Sequence, residues 1–95
     1  MSFEWDENKR LRTLENRNLD FNRAIRIFEG FVIEWESDRG DEQRFQAVGC
    51  VESDYISVVY TWREGRRRII SARMARRAER VRYDQAREDH QSETG

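Results

Sequence analysis

The spacing of apolar positions changes period several times along the chain, and each change marks an element. Phe3-Glu4-Trp5 alternates apolar with polar and predicts a short strand. Asp6 follows as a helix N-cap, with Glu7 well placed in the first turn. Leu11 and Leu14 share a face of that helix, and Asn18, a residue that tolerates the left-handed conformation, closes it after Asn16-Arg17. Asp20 caps a second helix, in which Phe21, Ala24, Ile25 and Phe28 recur at i, i+3, i+4 and i+7, and Gly30 ends it. Phe21, Ile25 and Phe28 are the side chains this spacing predicts to be buried against a sheet.

From Phe31 onward the period tends to two. Residues 31–36 are β-prone, and residues 37–41 form a polar loop. Phe45, Ala47 and Gly49 then alternate with Arg44, Gln46 and Val48, before a turn at Glu52-Ser53-Asp54. Residues 55–62 make the strongest strand, rich in Val, Ile, Tyr and Thr. Glu64-Gly65 is a two-residue hairpin turn leading into a partner strand over 67–73. A last helix is predicted from about Met74, with Met74, Ala78 and Val81 on one face, fading by Arg87 into a frayed tail at 88–95. The order β-α-α-β-β-β-β-α predicts an α+β fold: an antiparallel sheet of four to five strands, two N-terminal helices and a C-terminal helix.

Composition narrows this picture. Ninety-five residues suit one domain, 1–95, with a thin core. Charged residues make up 39% and hydrophobic ones 37%, so elements must be one-sided; three Trp, five Phe and three Tyr argue against disorder. The single cysteine, Cys50, excludes an internal disulfide and reads as a packing residue. No apolar run follows the first residues as a secretion signal would, and none approaches the about 20 residues of a membrane span, so a cytoplasmic protein is expected.

The net charge of −1 conceals an asymmetry. Residues 63–87 carry ten Arg against Glu64, Glu79 and Asp84, whereas residues 1–62 carry 8 basic and 13 acidic side chains. Such a basic block can attract a polyanion, or its arginines can be solvated or paired within the protein. The sequence offers no zinc-type ligand spacing, no Ser-His-Asp set and no glycine-rich phosphate loop; its lone histidine is His90. No cofactor or metal is expected. Arginine, which clamps phosphates and stabilises transition-state charge, and tyrosine, which can relay a proton, are the chemistry on offer. Tyr60 and Trp62 can stack on a base or support the hairpin.

Several segments, in order, resemble the BrnT family of bacterial toxins. They are Phe3-Glu4-Trp5-Asp6 with Lys9; Phe21 with the 24–28 segment; Glu42-Gln43-Arg44-Phe45 with Gly49; Val58-Val59-Tyr60-Thr61-Trp62-Arg63; Arg68-Ile69-Ile70-Ser71-Ala72-Arg73; and Ala75 with Glu79-Arg80 and Tyr83. The resemblance implies a RelE-like fold and a metal-independent endoribonuclease that inhibits translation. It also implies a BrnA-like ribbon-helix-helix antitoxin, through which alone the complex meets operator DNA. Arg44, Arg63, Arg73 and Tyr83 lie in matching segments and are the expected catalytic group. Lys9, Arg17, Arg76 and Arg77 are the expected RNA-binding group. Two departures from the family pattern stand out. Asn16-Arg17 stand where Lys-His is usual, and Arg76 stands three residues before Glu79, where a Ser or Thr would complete a capping box. The alternative function is therefore a catalytically weakened RNA- or antitoxin-binding module of the same fold.

Overall fold

A computed structural model describes residues 2–37 and 42–94; the predicted loop at 37–41 lies, apart from Ser37, outside the described residues. Two tight turns organise the sheet. Glu64 and Gly65 have φ of 52° and 77°, the paired positive values whose twist suits a two-residue hairpin. They join β4, Asp54–Arg63, to β5, Arg66–Met74, with Arg63 opposite Arg66. Glu52, with φ of 57°, opens the turn between β3, Phe45–Val51, and β4. With β2, Val32–Glu36, these strands form the antiparallel meander expected. The fifth strand, β1, Phe3–Trp5, lies parallel beside β5, so the sheet is mixed, in the order β1-β5-β4-β3-β2.

Helix α1, Glu7–Arg17, has the caps the sequence predicts. The Asp6 carboxylate accepts from the Asn8 and Lys9 amides, and Asn18 closes the helix with φ of 53°. Its packing differs from expectation. Leu11 and Leu14 are 49% and 36% exposed and α1 buries no residue. Instead Lys9, Thr13, Asn16 and Arg17 border β5 at Ile70 and Ser71.

The core lies on the opposite face. Asp20 caps α2, Phe21–Ala24, which tightens at once into a 3₁₀ turn over Ile25–Glu29. At about three residues per turn the buried stripe follows i, i+3, i+6. Phe21, Ala24 and Ile27 are accordingly fully buried and Ile25 is only half-buried, where a regular α-helix would have buried Ile25. They pack with Ala47, Ile56, Val58, Tyr60, Ile69 and Ala72. Gly49 makes this approach possible, because a Cβ there would stand 2.7 Å from Ile27 Cβ.

Helix α3, Arg77–Thr94, crosses the other face. It starts after the predicted Met74, because Met74 still pairs with Ile56 and the Ala75 amide donates to the Tyr55 carbonyl. It also continues past Arg87 into the predicted tail, where His90 stacks on Phe31 with ring centroids 5.0 Å apart. The side directed at the sheet carries Glu79 and Tyr83, while Met74, Ala78 and Val81 are exposed. Among the described residues no helix is long and apolar enough to cross a membrane.

Candidate functional site

Strand alternation sends Gln46, Ser57, Val59, Ser71 and Arg73 to the face opposite the core, and the register makes neighbours of Gln46, Val59 and Ser71. The pairing shifts between Val59/Ser71 and Tyr60/Ile69, leaving Ile70 as an extra residue in β5. Such a bulge bends a strand and re-aims its side chains. Here it puts Ile70 and Ser71 on the floor of two adjoining hollows.

Glu79 organises the first. Both terminal nitrogens of Arg73 donate to its two oxygens at 2.8 Å, the Arg76 amide donates to Oε1 at 2.8 Å, and Gln46 Nε2 donates to Oε2 at 2.7 Å. The Gln46 amide also donates to Ser57 Oγ. Arg73, aided by the Arg76 amide and Gln46, holds the Glu79 carboxyl down at about 2 against the opposing effect of burial. Arg76 is thus the N-terminal cap position of α3, and Glu79 supplies the returning half of a capping box.

This hollow, about 340 Å³, is lined by Arg44, Arg73, Arg76, Glu79, Gln46 and Ser71, among others. Arg44 Nε is buried without a hydrogen-bond partner among the described residues; Glu42 Oε2 lies 3.7 Å from it. The second hollow, about 190 Å³, is bordered by Lys9, Arg12, Asn16 and Arg17 of α1. Arg17 also donates to the Ala72 carbonyl at 2.9 Å, on the stretch of β5 that β1 leaves unpaired. Among the described residues the two linings together hold six cationic side chains and one carboxylate. Backbone-anchored cations around a polar floor can bind a chain of phosphates and stabilise charge that builds on one of them.

The structure therefore brings together Arg44, Arg73 and Arg76, with Lys9 and Arg17 next door. It does not bring the other three expected residues to them. Arg63 is exposed at the hairpin end of β4. Arg77 borders a separate hollow with Tyr55, Arg80 and Asp84. Tyr83 is 2% exposed, its hydroxyl donates to the Phe31 carbonyl at 3.1 Å, and burial, with Cys50 beside it, pushes that hydroxyl up to about 12. Gln46, Ser71 and Arg12 were not anticipated in the site. The signal for Gln46 was a polar residue between Phe45 and Ala47 in a strand, which reads as solvent-facing until α3 is laid over it.

A sequence model of the family described as "Ribonuclease toxin, BrnT, of type II toxin-antitoxin system" matches residues 5–79. The chain belongs to the BrnT family. The matched region runs from the last residue of β1 to the start of α3, and so includes every described residue bordering the two hollows. A BrnT chain is by description a ribonuclease toxin of a type II toxin-antitoxin system, which implies a cognate antitoxin. A comparison with individual curated proteins returned no match.

Proposed function

We propose that this chain is an endoribonuclease toxin that cleaves RNA in the groove formed by the two hollows, without a metal, and thereby inhibits translation in the cytoplasm. One observation carries the reading: Arg44, Arg73 and Arg76 converge on a polar hollow that continues into the Lys9–Arg17 side of α1. RNA phosphates bind along the groove. The 2′-hydroxyl of one nucleotide attacks the adjoining phosphorus, the bond to the following 5′ oxygen breaks, and a 2′,3′-cyclic phosphate and a 5′-hydroxyl result. Arg44, whose Nε is buried without a hydrogen-bond partner among the described residues, and Arg76, whose amide is anchored on Glu79, stabilise the charge that develops on the non-bridging oxygens of the phosphate. Arg73 enters the same hollow from β5, and Lys9 and Arg17 hold the flanking phosphates. Arg63 and Arg77 contact RNA outside the groove, and Tyr83 supports the fold beneath it. The family description supports the ribonuclease class, and the basic groove supports an RNA substrate. A ribbon-helix-helix antitoxin of the BrnA kind covers this chain and carries the operator contacts.

A second reading, a weakened nuclease that retains binding, is favoured by two contacts. Glu79 occupies both terminal nitrogens of Arg73, and Arg17 is engaged by the Ala72 carbonyl. Incubating antitoxin-free protein with RNA in EDTA separates the two. Cyclic-phosphate termini, lost in Arg44→Ala and Arg76→Ala, support cleavage; intact RNA that is still bound supports the weakened module.

A further inference from the structure

The groove lies on one face of the β4–β5 hairpin, and an aromatic surface lies at its far end. Trp62 is 49% exposed, the only aromatic among the exposed large hydrophobic residues described. Its indole is held rather than loose. The Arg67 guanidinium, opposite it in the register, sits 4.6 Å from its ring centroid. Tyr60 meets it edge-on at 5.8 Å. Each support is itself fixed. Arg67 lies 4.4 Å from the Phe28 ring and 5.1 Å from the Tyr60 ring, and the Tyr60 hydroxyl donates to Glu34 at 2.6 Å. Immediately beyond, the cross-strand pair Arg63 and Arg66 is exposed at the turn, with Glu64 the acid between them.

We propose that Trp62, backed by Arg67 and flanked by Arg63 and Arg66, is a base-stacking subsite for single-stranded RNA outside the cleavage groove. It rests on the RNA-cleaving reading above. A rigid π-face next along the strand to the exposed arginines of the hairpin tip suits a nucleobase with its phosphates, because any base can stack and the tip arginines take the backbone as the strand rounds the turn. Leu11, Leu14, Met74 and Val81, the other exposed large hydrophobics, are aliphatic or thioether side chains and offer no such face. By strand alternation Arg63 and Arg66 project to the groove side and Trp62 to the other. An RNA strand leaving the groove therefore passes the tip arginines and turns over the hairpin end to reach the indole. The subsite sets where a strand is gripped relative to the cut.

The test is an anisotropy titration with a labelled 2′-O-methyl oligoadenylate, whose blocked 2′ position removes the attacking group. Trp62→Leu, which keeps apolar bulk but has no π-face, should raise Kd about 5- to 100-fold, and Trp62→Phe should stay within about threefold of the parent. Arg63→Gln/Arg66→Gln should weaken binding and reduce the salt dependence by about 1.4 in log–log slope. Unchanged affinity in Trp62→Leu overturns the subsite. Should that variant not fold, unchanged affinity and slope in the double arginine variant overturn it instead. Arg76→Ala distinguishes the two proposals. If it weakens binding while Trp62→Leu does not, the groove stands without the platform; if only Trp62→Leu weakens binding, the platform stands and the groove reading fails.

Discussion

Beneath α2, the sheet is closed by side chains that need no polar partner: Phe21, Ala24 and Ile27 lie fully buried on Ala47, Ile56 and Val58. Beneath α3, the same strands are held by a carboxylate, an amide and a guanidinium, with Glu79 bonded to Gln46 and Arg73, and Tyr55 donating to Asp84. Val48 is fully buried there too, paired with Ser57 on one side and Ile33 on the other. The first face loses stability when volume is removed. The second is directional, and leaves an open groove where α3 stops and α1 begins. On the function proposed above, the reaction falls to the second side of the sheet while the dry packing falls to the first, and substitutions on each should separate them.

The largest effect is expected on the dry face. Phe21→Ala should cost about 3–5 kcal/mol of unfolding free energy, measured by urea denaturation of the purified chain; a loss below about 1 kcal/mol would contradict the fully packed position. Next comes Arg44→Ala, which should lower cleavage about 30- to 1,000-fold, corresponding to about 2–4 kcal/mol of transition-state stabilisation, with an unchanged melting temperature. Cleavage and stability falling together would erase the division between the faces.

Glu79→Gln probes the directional face itself and should destabilise the fold by about 1.5–3 kcal/mol. It also carries a pH dependence. The folded carboxyl titrates near 2, below its ordinary 4.5. The stabilisation is therefore complete above about pH 4.5 and is lost as the pH falls towards 2. The Gln variant should show a smaller loss of stability across that window than the parent; parallel curves would mean that Arg73 does not hold Glu79 in the folded state. The smallest effect is expected for Tyr83→Phe, which removes the bond to the Phe31 carbonyl. It should cost about 1 kcal/mol and leave the cleavage rate per folded molecule unchanged. A fall in rate without a fall in stability would restore Tyr83 to the reaction.

Much of the fold was legible because local rules act on adjacent residues. The Asp6 and Asp20 caps, the left-handed Asn18, the Glu64-Gly65 hairpin and the antiparallel meander of β2 to β5 all follow from short-range stereochemistry, whereas the parallel seat of β1 beside β5 does not. Phase was harder. The pattern at Phe21, Ala24, Ile25 and Phe28 satisfies a regular helix, yet the chain tightens into a 3₁₀ turn that turns Ile27 inward, towards the space left by Gly49. Met74, Ala78 and Val81 are spaced like a core face but are exposed, because the side of α3 that meets the sheet carries Glu79 and Tyr83.

The candidate site divides in the same way. The sequence by itself determined which side chains could handle phosphate, since an excess of arginine between residues 63 and 87 and the BrnT-like segments are properties of the linear chain. Only the tertiary structure decided which of them meet. The bulge at Ile70, the docking of Glu79 on Arg73 and the seating of α1 on its polar side gather Arg44, Arg73, Arg76, Lys9 and Arg17. They leave Arg63 at the hairpin tip and Tyr83 under α3. The physical reason is range. Capping and turn formation are settled within a few residues, whereas the partner of Arg73 depends on whether α3 packs with its carboxylate or its valine towards the sheet. That choice is made by hydrogen bonds to Gln46 and Arg73 on two separate strands, and becomes available once those strands have assembled.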